Sequence, residues 1–308
     1  MGFPVFSLGL RRVAKTVSAP IVVVLALTAL HGCGTTTAAK VAYNQSADLA
    51  YWWLDDYVDF NGVQSLQVKA ALARLQDWHR QTQLPRYAQS LQGLQRLVPA
   101  DISADQACRT AAEVRERVAT VLEQMEPAAA SLAATLQPAQ LDTMARKFAK
   151  GNAEWRSDFI DVSAQKLQTR RFKQARERAE LLYGSVNDAQ STALQRGVAQ
   201  SVFDPALAYT ERLRRQQDLL QTLRAVTAPG TPTAEASRAA RASVHAVLGR
   251  VLSSPDAAYR RYQDAVTNEG CALFADLHQR ASAAQRAHAA QTLQRYESLL
   301  LSLAAPAG

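Results

Sequence analysis

Apolar residues recur along nearly the whole chain with the 3.6-residue period of an α-helix, and this periodicity constrains the fold more than any other feature. One run has apolar side chains at positions 107, 111, 114, 118, 121 and 125, and another has them at 289, 293, 296, 300 and 303. No segment shows the sustained apolar–polar alternation that indicates a half-buried strand. The sequence therefore predicts an all-α fold.

Glycine and proline signals divide the periodic segments into helices joined by short turns. Breaks are expected at Asn61-Gly62, Leu84-Pro85, Val98-Pro99, Gly184, Asp204-Pro205 and Ser254-Pro255, with an internal linker over residues 227–233 (TAPGTPT). About ten helices with short connections are typical of an antiparallel multi-helix bundle. We expect this bundle to occupy residues 43–308.

The first 33 residues have the features of a secretory signal that ends at a cysteine. Three basic residues precede PIVVVLALTAL at 20–30, an uncharged run shorter than the about 20 residues that span a bilayer. Residues 30–33 (LHGC) resemble the lipobox of bacterial lipoproteins. This resemblance implies a signal peptide over 1–32, lipidation of Cys33 and a short flexible tether over 33–42. The alternative is an ordinary cleaved signal.

Residue 34 is Gly and not the Asp that usually retains a lipoprotein in the inner membrane, so the resemblance implies the outer membrane, facing the periplasm. Residues 1–32 hold three of the 35 basic and none of the 27 acidic residues, which leaves the mature chain with about five net positive charges. This excess favours contact with anionic lipid or acidic partners. Nucleic-acid binding requires a concentrated basic patch with a reading motif, and we expect no such partner.

Two further cysteines, Cys108 and Cys271, remain in the mature chain. An oxidising periplasm favours a disulfide between them, and closing so long a loop would stabilise the protein by roughly 5 kcal/mol in the chain-entropy estimate. Two buried free thiols are the alternative, because the sequence does not supply the geometry of a bridge.

A four-residue pattern that ends in glutamine opens several of the expected helices. Its copies are NGVQ at 61–64, QPAQ at 137–140, NDAQ at 187–190 and SAAQ at 282–285. Three copies begin with Asn or Ser, which are good N-caps, and all place Gln three residues later, so the pattern predicts capping boxes. It also resembles, over four residues at a time, the LTxxQ motif of Spy-like periplasmic chaperones.

The stretch LAYWWLDDYVDF at 49–60 combines five aromatic residues with three aspartates. On a helix, one side would carry Trp52, Asp55, Asp56 and Asp59. The opposite side, which includes Trp53, is the one expected to face the core. Three acids along one stripe repel each other unless cations lie nearby. The candidates are His79, Arg80 and Arg86 in DWHRQTQLPRYA at 77–88.

Two interpretations of this cluster stay open. In the first, an Asp–Arg–His network locks three helices together at a semi-buried junction. In the second, Asp55, Asp59 and His79 form the site of a hydrolase or transferase. The sequence has no G-x-S-x-G, no H-E-x-x-H and no glycine-rich phosphate loop, and its histidines are scattered. We therefore predict no catalytic residue, metal or cofactor.

Four segments in this order resemble a family of uncharacterised lipoproteins of Gram-negative bacteria, described only as a domain of unknown function. They are AYNQSADLAYWWLDDYVDF, WHRQTQLPRYA, NAEWRSDF and CALFADLHQRASAAQR. The resemblance implies lipid anchoring and a helical body, and it assigns no functional residue. We expect a lipid-anchored periplasmic binding or scaffolding module of the envelope, chaperone-like, with an envelope protein as partner and no enzymatic activity.

Overall fold

The computed structural model describes residues 35–227 and 234–305, and over these ranges every regular element is a helix. The helices are α1 (Thr35–Asn44), α2 (Ser46–Val58), α3 (Gly62–Trp78), α4 (Leu84–Leu97), α5 (Ala104–Ala133), α6 (Pro138–Phe159), α7 (Ala164–Tyr183), α8 (Asp188–Ala199), α9 (Pro205–Val226), α10 (Ala234–Leu252), α11 (Ala257–Gln279) and α12 (Ala283–Ala304). A π-helical turn, His79–Gln83, joins α3 to α4. The expectation of an all-α multi-helix bundle is confirmed. The predicted signal peptide, Cys33 and residues 228–233 of the expected linker lie outside the described residues.

The flexible tether expected over 33–42 is wrong from Thr35 onward, because the chain is helical from that residue. Ala39 explains why this helix forms on the body of the protein. Its side chain is buried against Leu84 of α4 and Leu300 of α12. Burial of an apolar side chain stabilises a short helix that would be marginal in isolation. Helix α1 therefore begins two residues after Cys33 in the sequence.

The break expected at Leu84-Pro85 is also wrong, since the chain stays helical from Gly62 to Leu97. The backbone widens into a π turn in which the Leu84 N–H donates to the His79 carbonyl. Pro85 then falls in the first turn of α4. A proline in a continuous helix has no N–H to donate to the preceding turn, and its ring crowds a carbonyl there; the wider π turn directly before Pro85 accommodates both effects. The proline thus shifts the hydrogen-bond register and does not end the helix.

Helix α5 has 30 residues, about 45 Å of rise, and it connects two groups of helices. Its carboxyl-terminal half meets α3, where Gln67 bonds Ser131, and α10, where His245 bonds Glu126. Its first turns are joined to α11 through Cys108. The long helix is therefore shared by both ends of the bundle.

The core is a series of connected clusters. One lies where α2, α5, α6, α9 and α10 meet, around Leu141 and Leu223. A second joins α1, α4 and the end of α12 around Leu84 and Leu300, and a third joins α7, α8, α11 and α12 around Tyr183. Within the described ranges, no helix is long and apolar enough to cross a membrane.

Candidate functional site

Helix α2, which carries the aromatic and acidic stretch, buries a different side from the one expected. Tyr51 and Val58 are buried, and the Tyr51 hydroxyl donates to Ser65 Oγ of α3 at 3.0 Å. Trp53, which was assigned to the core, is 43 % exposed and packs its ring 4.8 Å from that of Tyr57. Trp52 is 63 % exposed. The core side is set by Tyr51, so both indoles lie on the outer side of α2.

Two of the three aspartates shape the turn after α2. Asp59 adopts a left-handed conformation with φ of 60°, the only positive φ at a non-glycine residue in the described chain. The Asp55 carboxylate accepts the backbone N–H of Phe60 at 3.0 Å, and the Asp59 carbonyl accepts Gln140 Nε2 at 2.9 Å. A left-handed residue is a common way to end a helix. Asp55 and Asp59 therefore terminate α2 and turn the chain into α3.

The third aspartate, Asp56, forms an ion pair with Lys147 of α6. The Asp56 side chain is 63 % exposed. Exposed ion pairs of this kind contribute about 0–1 kcal/mol. This pair joins α2 to α6, and it involves neither His79 nor the two arginines of the predicted cluster.

The basic members of the predicted cluster lie elsewhere. His79 Nδ1 is 2.9 Å from the Tyr43 hydroxyl, and its ring is 5.4 Å from that of Tyr87. Burial lowers the pKa of His79 to about 4. Arg80 donates to the Leu303 carbonyl at 2.8 Å and to the Asn44 side chain at 2.8 Å. The Arg80 guanidinium therefore stabilises the carboxyl end of α12, where a cation is favourable.

Arg86, the last basic residue of the cluster, has an exposed side chain on the first turn of α4. The aspartates lie in the last turn of α2 and the turn before α3, and His79 lies just past the end of α3, whose 17 residues rise about 25 Å. The expected Asp–Arg–His network is therefore wrong. The same separation removes the geometric basis of a hydrolase or transferase that uses Asp55, Asp59 and His79. In the described part of the chain, no group of three or more His, Cys, Asp or Glu side chains is placed to hold a metal ion.

A second Tyr–His pair, which the sequence did not indicate, lies in the opposite group of helices. His278 is fully buried, and its Nδ1 lies 2.8 Å from the Tyr183 hydroxyl while its Nε2 lies 2.9 Å from the Ala100 carbonyl. Because a carbonyl only accepts, Nε2 carries the proton and Nδ1 accepts from the tyrosine. Burial lowers the pKa of His278. This pair ties α7 and α11 to the loop before α5.

All four predicted capping boxes are present. In each, the Gln side chain accepts the N–H of the cap residue, at Asn61, Gln137, Asn187 and Ser282. A fifth box, Ser103 with Gln106, opens α5 and was missed in the sequence as SADQ. The capping function of the repeated glutamine pattern is therefore confirmed.

The sequence did not show that these glutamines also bond to each other in pairs. Gln140 Nε2 donates to Gln64 Oε1 at 2.8 Å, and Gln285 Nε2 donates to Gln190 Oε1 at 2.7 Å. The members of each pair are buried. Each pair joins the turn of one helical hairpin to the turn of another. The glutamine pattern is thus used inside the protein and offers no surface for a partner.

One carboxylate is buried among cations and was also missed. Glu211 of α9 is 4 % exposed and accepts Arg214 Nε at 2.7 Å, Arg215 Nε at 2.7 Å and Ser254 Oγ at 3.1 Å. Burial alone would raise the pKa of Glu211, but its bonds to both guanidinium groups outweigh burial and lower it. This cluster fastens α9 to the loop between α10 and α11.

The predicted disulfide is present in the structure. Cys108 of α5 is bonded to Cys271 of α11 across 163 residues, with their Cα atoms 5.4 Å apart. Cys271 is buried, so the bridge lies between packed helices and not on a loose surface loop.

Exposed apolar side chains are concentrated on the first three helices. Six of the eleven large apolar side chains that are exposed in the described residues fall between positions 41 and 66. We call these six the N-terminal apolar set: Val41, Leu49, Trp52, Trp53, Val63 and Leu66. Val63 and Leu66, 78 % and 73 % exposed, begin a stripe on α3 that continues with exposed alanines at 70 and 73. This spacing places the four side chains along one side of the helix.

Basic side chains line two of the open grooves on the described part of the surface. One, of about 620 Å³, separates α1 from α12 and contains Lys40 and Arg295. The other, of about 440 Å³, lies along the first turns of α7 and contains Lys166, Arg170 and Lys173. In the second groove, Arg170 is paired with Asp158 and Lys173 with Glu177. Neither groove contains any of the aspartates from the predicted cluster.

The fold and these sites define an all-helical bundle domain with an internal disulfide. Residues 56–231 match a protein family described as a family of unknown function, DUF6279. Because the match covers more than half of the chain, the protein belongs to this family, which confirms the resemblance to a domain of unknown function. The family description names no enzymatic activity. Comparison with the curated proteins and with the solved structures gives no match.

Proposed function

We propose that the protein is a lipid-anchored binding or scaffolding module of the outer membrane, facing the periplasm, which holds apolar segments of envelope proteins in a chaperone-like manner. The N-terminal apolar set is the observation that carries this proposal. Exposed apolar patches on a folded protein mark interaction sites, and this set places six large exposed apolar side chains on three successive helices. Tryptophan is also enriched among the side chains that dominate binding energy at interfaces.

The position of this set relative to Cys33 supports a partner at the envelope. Lipidation of Cys33 would fix residue 33 at the membrane, and α1 begins two residues later. The apolar side chains lie on α1 itself and on α2 and α3, so they would face proteins that lie on or emerge from the membrane. The buried glutamine pairs do not contribute, because their amides are satisfied internally.

A client-aggregation assay with the full chain tests the binding function. The protein is reconstituted in liposomes of zwitterionic lipid, and light scattering from an equimolar denatured client is followed with empty liposomes as the blank. We expect the wild type to suppress aggregation and Trp52→Ser/Leu66→Ser to lose most of that suppression. Both side chains are exposed, so the free energy of unfolding of the variant should stay within about 0.5 kcal/mol of the wild-type value.

The matched control is Val114→Ser/Leu301→Ser, which removes two exposed apolar side chains, 55 % and 46 % exposed, outside the N-terminal apolar set. This variant should suppress aggregation as the wild type does. Equal losses in the two variants, or no suppression by the wild type, would show that the set is not a binding surface.

The anchor is tested separately with Cys33→Ser in cells. We expect this variant to accumulate as a precursor without the mass of a diacylglycerol, measured by mass spectrometry of the membrane fraction. A normally processed, membrane-bound product would contradict the lipobox and leave the aggregation assay unaffected.

A further inference from the structure

The groove between α1 and α12 brings cations and neutral hydrogen-bonding groups together without an acid. Its polar lining consists of Lys40, Gln291, Gln294, Arg295, Ser298 and Ser302. The side chain of Leu299, which is buried, closes its floor. Amide, hydroxyl, ammonium and guanidinium groups all donate hydrogen bonds, so the lining suits an anion rich in oxygen.

The two cations of this groove keep their charge available. Arg295 donates to the Thr292 hydroxyl at 2.8 Å, a neutral acceptor. The acid nearest in sequence on α12, Glu297, is directed to α4, where Gln92 and Gln95 each donate to it at 2.6 Å. Helix α1 contains no acidic residue. A phosphate in the groove would therefore meet two positive charges and no competing carboxylate.

The groove lies close to the proposed anchor. Lys40 is five residues into α1, which corresponds to about 8 Å of helical rise from Thr35. The head-group layer on each side of a bilayer is about 5–8 Å thick, given a hydrocarbon core of about 30 Å and a total of about 40–45 Å. With Cys33 held at the membrane, Lys40 would stay within reach of the head groups.

We propose that the groove between α1 and α12 binds the phosphate of an anionic glycerophospholipid head group. Arg295 makes the directional contacts, because a guanidinium matches phosphate oxygens in pairs, and Lys40 supplies a second, mobile charge. Gln291, Gln294 and the two serines reach the glycerol oxygens. The choice of lipid as the source of the phosphate rests on the proposed anchor. The groove would thus orient the bundle on the membrane around the anchored end.

Native mass spectrometry of the full-length protein in detergent tests this assignment. The protein is titrated with phosphatidylglycerol, with phosphatidylcholine and with inorganic phosphate, and bound lipid is counted from the added mass. We expect phosphatidylglycerol to bind at least about tenfold more tightly than phosphatidylcholine, a difference of about 1.4 kcal/mol. Lys40→Gln/Arg295→Gln should bind the two lipids with about equal affinity.

The control Lys173→Gln/Arg178→Gln also removes one lysine and one arginine charge, but from the exposed side of α7. It should keep the preference for phosphatidylglycerol. Equal losses in both variants would overturn the proposal, because diffuse charge and not the groove would then select the lipid. Retention of the preference by Lys40→Gln/Arg295→Gln would also overturn it. So would competition by inorganic phosphate at the same concentration as the lipid, which would assign the groove to a soluble anion.

The same spectra separate this proposal from the proposed anchor. The mass of the protein itself shows whether Cys33 carries its acyl chains, and lipid binding in detergent does not require them. A chain without acyl groups that still prefers phosphatidylglycerol would contradict the proposed lipidation of Cys33 and support the proposed lipid site in the groove. An acylated chain without the preference would support the lipidation of Cys33 and overturn the proposed lipid site. Thermal unfolding followed by circular dichroism shows whether each variant is folded.

Discussion

Gln190 and Gln285 hydrogen bond through their side chains, with Gln285 Nε2 donating to Gln190 Oε1 at 2.7 Å, although 95 residues separate them. Each glutamine also accepts the N–H of its own helix cap, at Asn187 and Ser282. Gln285 donates further to the Ser185 carbonyl at 2.9 Å. One amide therefore starts a helix, joins two hairpin turns and satisfies a carbonyl in the other turn.

Gln285→Ala should lower the free energy of unfolding by about 2–4 kcal/mol, because it leaves polar groups without partners at about 1–3 kcal/mol for each one that is buried. These groups are the Ser282 N–H and the Ser185 carbonyl, and Gln190 Oε1 loses one of its two donors while it keeps the Asn187 N–H. Urea unfolding followed by circular dichroism measures the change.

Gln106→Ala is the matched control for the pairing. Gln106 accepts the Ser103 N–H at 2.8 Å in the same kind of capping box, and it forms no glutamine pair in the described residues. Loss of this box should cost only about 1 kcal/mol. If Gln106→Ala and Gln285→Ala lose equal stability, the bond between the two hairpins contributes nothing.

The fold class could be predicted from the sequence because hydrophobic period and capping chemistry are local properties. The capping glutamines were found because cap and Gln lie three residues apart in the chain. The pairing of one capping box with another depends on tertiary packing. The sequence contains no pattern that connects Gln190 with Gln285. The helical start at Thr35 was missed for the same reason, since it depends on Ala39 packing against Leu84 and Leu300.

The aromatic and acidic stretch was predicted less well, because two aspects of its geometry are not local. Helical periodicity placed Trp53 in the core, but Tyr51 and its bond to Ser65 fix the rotation of α2. Nearness in sequence suggested that His79 would meet Asp55. Helix α3 runs between them without a break, so the two side chains lie at opposite ends of one hairpin.

Two ion-paired carboxylates should differ in their contribution to stability because only one is buried. Glu211→Gln removes a charge that Arg214 and Arg215 both contact, and it should lower the free energy of unfolding by about 2–4 kcal/mol, near the cost of breaking a buried pair. Asp56→Asn removes the exposed pair with Lys147 and should cost about 0–1 kcal/mol. Urea unfolding of the two variants measures the difference. A larger loss of stability for Asp56→Asn than for Glu211→Gln would support the hypothesis of a structural junction at the aspartates.

Reduction of the disulfide should destabilise the protein by about 3–5 kcal/mol, because the bridge closes a loop of 163 residues in the unfolded chain. Thermal unfolding with and without a reductant measures the shift. Cys108→Ser/Cys271→Ser should unfold like the reduced wild type and be insensitive to the reductant. A wild type whose melting and gel mobility do not change on reduction would show that the two thiols are free.

Acid should destabilise the protein through His79 before its carboxylates titrate. The pKa of His79 is about 4 in the folded protein, and burial is the cause, whereas the unfolded value is about 6.5. Between these values the unfolded chain binds more protons, so the free energy of unfolding falls as pH falls. From pH 7 to pH 5 the loss should be about 2 kcal/mol, at 1.36 kcal/mol for each pH unit below 6.5.

His79→Gln keeps an acceptor for the Tyr43 hydroxyl but does not titrate, so its stability should fall less between pH 7 and pH 5. The comparison uses slopes, and a uniform loss of stability in the variant does not affect it. Glu211 and Asp218, whose pKa values are lowered, lose their contribution only below about pH 4.5. Equal slopes for His79→Gln and the wild type would show that burial does not lower the pKa of His79 in the folded protein.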